Sequence, residues 1–412
     1  MRWTSRTAGP AAERDRGTAR TPSRRLVGVD AARGLALIGL MSVHILPSYD
    51  HETREPTWSH ILFSGDSAAL FALLAGVGLA LASGGTRPHG GRELTADRVA
   101  LVVRAVLIAV LGLGIGSLMS DDLPADNILI YYGVFFLLAA PFLRAGPRML
   151  FGSAAVFLVT APVLMQLLRD DLPGFVSGNP TFEDLLTQPM ATITQLLLTG
   201  TYPALAYLAY LLAGMGLGRL DLRSRAIQLR LPVVGVGLSV CAQAVSYVLI
   251  HGAGGAGGYE RLLAASSGDA EELADVLVWG SDWLPTETWW SLAVATPHTN
   301  APLAIAASLG TGMAVLGLFL LISRVVGSWL LPLSTMGSMT LSLYTAHLVA
   351  LSFEVHYDRP YLWFTIQLIT GVLFAMAWQR ALGQGPLERV VGAVAKGARR
   401  RSLAASAGAG PG

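Results

Sequence analysis

The sequence predicts an all-α protein, a polytopic integral-membrane bundle of about ten (10–11) helices. Three observations carry this. Hydrophobic residues make up 53% of the 412-residue chain and charged residues only 14%, where a soluble domain carries about a quarter of its residues as Asp, Glu, Lys and Arg. Apolar runs recur at lengths near the ~20 residues with which a helix crosses ~30 Å of hydrocarbon. Basic residues, finally, collect in alternate connections between those runs, as loops on the cytoplasmic side do. A soluble enzyme, a disordered protein and a nucleic-acid binder are all disfavoured by this composition. The single cysteine, Cys241, excludes an internal disulfide and any cysteine-based metal cluster.

Along the chain, residues 1–24 read as a disordered basic arm. The first 25 residues hold seven arginines and no apolar run long enough for a secretory signal. A transmembrane domain follows over 25–382, with expected spans at 27–47, 61–82, 99–119, 128–143, 148–168, 203–219, 231–251, 301–323, 328–352 and 361–381. The apolar piece from Met190 to Leu198, ending at Tyr202-Pro203, suits an interfacial or re-entrant helix. Residues 252–300 form one large outer loop, and 383–412 a basic, Gly/Ala-rich cytoplasmic tail. With ten spans, 23 of the 29 basic residues lie in or border the inner connections and tails. Only Arg54, Arg169, Arg261 and Arg359 fall in outer loops, and Arg33 and Arg104 lie within spans. Both termini are therefore expected in the cytoplasm, and the protein in the plasma (inner) membrane.

Glycines cluster within spans, as in Gly76-Val77-Gly78 and Gly214-Met215-Gly216-Leu217-Gly218, where small residues let helix backbones approach closely. None follows a strand to open a nucleotide loop, and the chain has no Walker motif.

Seven of the eight histidines fall on one side of this layout: His44, His51, His60, His251, His298, His347 and His356, with His89 opposite. No pair has the i, i+4 spacing of a helix-borne metal site, so no metal is expected. Arg33 and His44, eleven residues apart, lie about 20° apart around one helix and about 16 Å apart along it. An arginine at that depth marks a functional pathway or pairs with Asp30 to anchor the helix end. Asp66, an isolated carboxylate near the start of the second span, can orient an imidazole or cap the helix. His347, His298 and Asn300 lie at a similar depth and can line an acceptor site. Arg87, Arg92, Arg98 and Arg104 surround one inner connection, and Arg219, Arg223, Arg225 and Arg230 another. They express the positive-inside bias and can also dock a polyanion.

Asp30-Ala31-Ala32-Arg33-Gly34-Leu35-Ala36-Leu37 with Met41 and His44 resembles the opening helix of the heparan-α-glucosaminide N-acetyltransferase-like family, including the bacterial YeiB-type proteins, within the transmembrane acyltransferase superfamily. The Arg33–His44 spacing also resembles the arginine–histidine motif of the acyltransferase-three branch. Gly65-Asp66-Ser67-Ala68-Ala69-Leu70-Phe71-Ala72-Leu73-Leu74-Ala75-Gly76 is similar to the family's second helix. Tyr131-Tyr132-Gly133-Val134-Phe135, Tyr202-Pro203, Pro297-His298 and Gly337-Ser338-Met339-Thr340-Leu341-Ser342-Leu343-Tyr344 extend the likeness over about residues 25–380. The resemblance implies transfer of an acyl group from cytosolic acetyl-CoA, as donor substrate, to an acceptor across the membrane. In animal members the active histidine lies in the first outer loop, three residues before a tryptophan. Here Glu55 stands three residues before Trp58, and the loop's own His51 and His60 fall out of that register. The choice among His44, His51 and His60, and between direct transfer and an acyl-histidine relay, stays open at this point.

The resulting expectation is an acyl-CoA-dependent transferase acting on an amine or hydroxyl of an envelope sugar, glycolipid or small metabolite. His44 is the general base, Asp66 orients it, and Arg33 holds the CoA chain or polarises the carbonyl. His347, His298, Asn300, Trp58, His51 and His60 position the acceptor, and Arg33, Arg87, Arg98, Arg104 and Arg219 receive the CoA phosphates. The expected partners are the bilayer, acyl-CoA and the acceptor, without nucleic acid; a homodimer is left open. A proton- or ion-coupled transporter or lipid flippase is the alternative, since intramembrane Arg33 and Asp66 suit it equally.

Overall fold

A computed structural model describes residues 26–50, 52–119, 123, 125–252, 257–266, 268–281, 284–355 and 358–408. The basic N-terminal arm and His51 lie outside the described residues. Those residues fold into helices without a β-sheet. In chain order the helices are α1 (Val27–Ile45), α2 (Trp58–Phe63), α3 (Asp66–Ala82), α4 (Gly91–Gly116), α5 (Ile128–Ala139), α6 (Pro147–Leu168), α7 (Phe182–Thr187), α8 (Pro189–Thr194) and α9 (Ala204–Gly218). There follow α10 (Arg225–His251), α11 (Gly258–Ala265), α12 (Ala270–Trp279), α13 (Pro302–Val325), α14 (Leu331–Gly337), α15 (Thr340–Leu351), α16 (Pro360–Leu382) and α17 (Pro386–Gly408).

Seven helical segments are long and apolar enough to cross a bilayer, or eight if α8 and α9 are one span bent by 46°. The chain is thus a multi-pass membrane protein. The remaining segments of the ten-span reading, 128–144 and 340–351, are shorter apolar helices. The central helix α9, of 15 residues, is buried almost throughout.

Two expected spans are broken. The second begins at Trp58 and bends at Ser64-Gly65, where Gly65 adopts φ 70° beside Pro297, a conformation that glycine takes without strain. The ninth, expected as one helix over 328–352, divides at Ser338-Met339 into α14 and α15. There Gly337 presses its backbone against the Asp30 carbonyl of α1, and a carboxylate from α17, Glu388, takes up the first N–H groups of α15. The basic tail, for its part, is helical, and α17 lies along the first half of α4.

The apolar stretch of α1 is 78% buried and that of α16 only 6%, so α1, with α3 and α9, forms the centre and α16 the rim. Close approach is built with glycine: a Cβ on Gly76 would strike the Leu211 carbonyl of α9, and one on Gly214 the Leu73 carbonyl of α3. The outward face of α10 carries exposed Val233, Val236, Val240 and Val245, an apolar surface suited to lipid. The loop after α10 has its own small core of Ile250, Leu262, Leu273, Leu284 and Val294. It folds over one end of the bundle, setting Trp279 against Tyr49 and His60.

Candidate active site

His44, near the end of α1, and His347, on α15, meet in the bundle. Their side chains are buried, at 5% and 2% exposure. His44 Nδ1 lies 3.1 Å from His347 Nε2, and the rings are nearly parallel. On the far side of His347, Nδ1 is 2.8 Å from Gln367 Oε1 of α16. A carboxamide oxygen only accepts, so His347 Nδ1–H donates to Gln367. That leaves the His347 Nε2 lone pair to accept from His44 Nδ1–H, and it puts the free lone pair of His44 on Nε2. The chain Gln367–His347–His44 therefore fixes both tautomers and presents one unprotonated imidazole nitrogen.

Two cavities lie in the bundle, the first reaching Tyr344, whose ring is 6.4 Å from that of His44. One, of about 340 Å³, is lined by Arg33 and Leu40 of α1, Phe71 and Gly78 of α3, Arg104 of α4, Tyr132 of α5, Thr340 and Tyr344 of α15, and Glu388 of α17. Its position on α1 and α15 is the turns just before His44 and His347. Arg33 donates to the Leu74 carbonyl at 3.0 Å and lies 3.4 Å from Asp30. Arg104 is close enough to feel its charge, and no carboxylate among the described residues pairs with Arg104. The buried Tyr132 hydroxyl also lines this space without a hydrogen bond. Two arginines, the Glu388 carboxylate and a spare hydroxyl donor thus lie within largely apolar walls, a lining that can receive a ligand with an anionic part and an apolar chain.

The second cavity, of about 240 Å³, lies at the opposite end. His60, Asp66, Tyr210, Gln243, His298, Asn300, Ser308 and Thr311 line it. Asp66 shares this lining with the hydroxyls of Ser308, Thr311 and Tyr210. His60 Nε2 is buried without a hydrogen bond. His298 and Asn300 both adopt positive φ, 61° and 51°, in a segment held by Thr299 Oγ1–H donating to the Thr296 carbonyl at 2.8 Å. Strained backbone of this kind persists where the surroundings over-determine it, commonly at ligand sites. His298 lines this second cavity, whereas His44 and His347 line neither cavity.

The structure thus brings together His44 with His347, Arg33 with Arg104, and Asp66 with His60, His298 and Asn300. Asp66 sits among hydroxyls of the second cavity, and the group hydrogen-bonded to His44 is His347. Arg98 instead donates to the Ala140 and Pro141 carbonyls, both at 3.2 Å. Arg219 saturates the end of α3, donating to Ala80 and Gly85 carbonyls at 2.8 and 2.9 Å and also to the Leu143 carbonyl. Both neutralise helix C-termini. Arg87 is exposed in the turn before α4, and Trp58 is half exposed at the start of α2, against Phe63. Sequence reasoning missed Gln367, Tyr210 and Glu388. Gln367 carried one signal, as an uncharged polar residue midway along an apolar span.

The fold and site define a multi-pass helical membrane protein with a buried histidine pair, a cavity lined by Arg33 and Arg104, and a second, polar cavity. The chain belongs to the heparan-alpha-glucosaminide N-acetyltransferase family: the model of that family's catalytic region matches residues 25–244. It is accordingly a membrane protein of an acetyltransferase family. No curated protein matches the chain. The family match contains Arg33, His44, His60, Asp66 and Arg104, whereas His298, Asn300, His347 and Gln367 come from the chain beyond it.

Proposed function

We propose that the protein transfers an acyl group, acetyl in the first instance, from cytosolic acyl-CoA to an amine or hydroxyl of a sugar, glycolipid or small metabolite on the other side of the membrane. In this reading the arginine-rich end faces the cytoplasm, as do both termini, and the chain crosses the bilayer ten times. The short helices 128–144, α9 and α14–α15 then count as crossings shielded by their neighbours. The observation that carries the reading is the buried Gln367–His347–His44 chain in a bundle that also holds a cavity lined by Arg33 and Arg104 and a polar one lined by Asp66 and His298.

In the reaction, Arg33 and Arg104 hold the anionic donor and bring its thioester toward the histidines. The acceptor, hydrogen-bonded among Asp66, His60, His298 and Asn300, attacks the carbonyl carbon while His44 Nε2 takes the proton it loses. His347 accepts from His44 Nδ1–H throughout and stabilises the imidazolium that forms, the part a carboxylate plays in hydrolase triads. The C–S bond breaks, and the CoA thiolate leaves with the proton that His44 held. Asp66 in this scheme positions the acceptor.

The test measures thiol release from acetyl-CoA with amino-sugar and polyol acceptors, together with thermal stabilisation by acetyl-CoA and desulfo-CoA, on protein in lipid nanodiscs. His44→Ala is expected to retain the stabilisation, which any ligand of the native state produces, and to lose transfer by at least about 100-fold. Normal turnover by His44→Ala would remove His44 from the mechanism. Absence of stabilisation by any CoA species on folded wild-type protein would refute the donor assignment.

A further inference from the structure

The break between α14 and α15 leaves a helix start inside the bundle, and the start of a helix has N–H groups with no partner in the helix itself. Ordinarily the preceding residue caps them, but Met339 has no side-chain acceptor to offer and none is made. The cap arrives from 46 residues further on. Glu388 Oε1 accepts from Leu341 N–H at 2.7 Å and Ser342 N–H at 3.2 Å. Oε2 accepts from the Ser342 hydroxyl at 2.5 Å, and the same Ser342 oxygen accepts from Leu387 N–H at 2.9 Å. The first turns of α15 and α17 are thus closed into one hydrogen-bonded ring. A carboxylate at this place is favoured twice, by the hydrogen bonds and by the positive end of the helix dipole.

Five residues beyond Ser342, α15 carries His347, and Tyr344 between them lines the cationic cavity. Helix α17 is itself anchored at its far end. Asp97 of α4 accepts from Arg399 at 2.7 Å while its other oxygen lies 2.6 Å from His89 Nδ1, and Arg92 donates to the Leu403 carbonyl at 3.3 Å. The carboxylate that caps α15 is therefore held from outside the helix it caps.

We propose that Glu388 is the positioning residue for His347: by capping α15 from α17 it sets the height at which that helix holds His347 against His44, which makes the C-terminal helix a working part of the active centre. Glu388 hydrogen-bonds neither histidine; its carboxyl also edges the first cavity, and a direct role there would change KM for acetyl-CoA, whereas the role through α15 changes exchange and kcat. The functional half of this inference rests on the acyl-transfer reading above; the structural half does not.

The experiment uses the full chain in nanodiscs with Glu388→Ala, Glu388→Gln and, as a control on the exposed face of α17, Arg401→Ala. Hydrogen exchange is followed in peptides spanning 338–351, and kcat and KM for acetyl-CoA are measured alongside. Glu388→Ala is expected to speed exchange through α15 about tenfold, the usual worth of a lost N-cap. It should lower kcat about tenfold, without raising KM for acetyl-CoA. Glu388→Gln keeps one accepting oxygen and should recover most of both losses, and Arg401→Ala should change neither. Unchanged exchange in Glu388→Ala would overturn the proposal. So would faster exchange with wild-type kcat, because the cap would then be structural only. If the wild type transfers to no acceptor while exchange responds as expected, the transfer reading fails and the capping of α15 from α17 stands. If Glu388→Ala does not fold, Ser342→Ala, which removes the hydroxyl that donates to Glu388, decides: faster exchange in 338–351 with lower kcat supports the proposal, and wild-type exchange or wild-type kcat overturns it.

Discussion

Replacing Gln367 by Leu tests the histidine relay at its most distant member. Gln367 Oε1 accepts from His347 Nδ1–H at 2.8 Å, and that bond keeps the His347 lone pair on Nε2, 3.1 Å from His44 Nδ1. Leucine has similar volume but no acceptor. The His347 proton then gains nothing from Gln367 by staying on Nδ1, and moving to Nε2 would force His44 to carry its own proton on Nε2, where the base is needed. One intramolecular hydrogen bond has a net worth of about 0.5–1.5 kcal/mol, which is roughly a 2- to 13-fold change in the tautomer ratio. Thiol release under saturating acetyl-CoA and acceptor should accordingly show kcat lower by about three- to tenfold, with KM for both substrates within about twofold of wild type. Gln367→Glu keeps an oxygen at the same place that can accept whether the carboxyl is ionised or neutral, so it should retain most of the wild-type kcat. A Gln367→Leu protein with unchanged kcat would refute the tautomer argument, and equal losses in Leu and Glu variants would attribute the effect to packing.

Two further outcomes follow from the cavity and the core. Arg104→Leu removes a cation of the cavity that it shares with Arg33, and a hydrogen bond to a charged group is worth about 1.5–3 kcal/mol. Acetyl-CoA should bind at least about tenfold more weakly, read as the concentration that gives half the maximal thermal stabilisation; unchanged affinity would place the donor elsewhere. Gly214→Leu drives a side chain into the Leu73 carbonyl where α3 and α9 cross, and overpacking of this kind costs about 1–3 kcal/mol. The melting temperature of the detergent-purified protein should fall, and a wild-type value would mean that the two helices separate easily.

How far the sequence could be read depended on the range of the interactions. Apolar run length located the ends of α1, α6, α13 and α16 to within a few residues, because each helix is specified by its own composition. The breaks at Gly65 and at Ser338-Met339 were not legible, since they are decided by distant groups: Pro297 beside Gly65, Asp30 and Glu388 around α15. The same division runs through the site. His44 and Arg33 stood out because a charge or imidazole in an apolar helix is conspicuous, and the helical repeat aligned them. Pairing His44 with His347 spans 303 residues, and nothing local favours His347 over His298 or Asp66 as its partner. Arginine counts gave the basic end of the molecule, yet Arg98 and Arg219 are consumed by helix carbonyls. Only tertiary structure separates an arginine that caps a helix from one that faces a cavity.

The choice of imidazole and carboxamide to support His44 has a physical logic in this setting. A carboxylate beside it would have to stay ionised in the low-dielectric centre of the bundle through the resting state, at a desolvation cost that a hydrogen bond to a neutral imidazole does not repay. In the proposed reaction the Gln367–His347–His44 chain starts neutral and acquires one positive charge as His44 takes the acceptor proton. That charge is shared along two existing hydrogen bonds, which strengthen as it develops. The carboxylate, Asp66, lies instead in the polar cavity that Ser308, Thr311 and Tyr210 also line. Stabilisation is thereby reserved for the step in which charge forms, the condition under which binding energy lowers a barrier rather than a ground state.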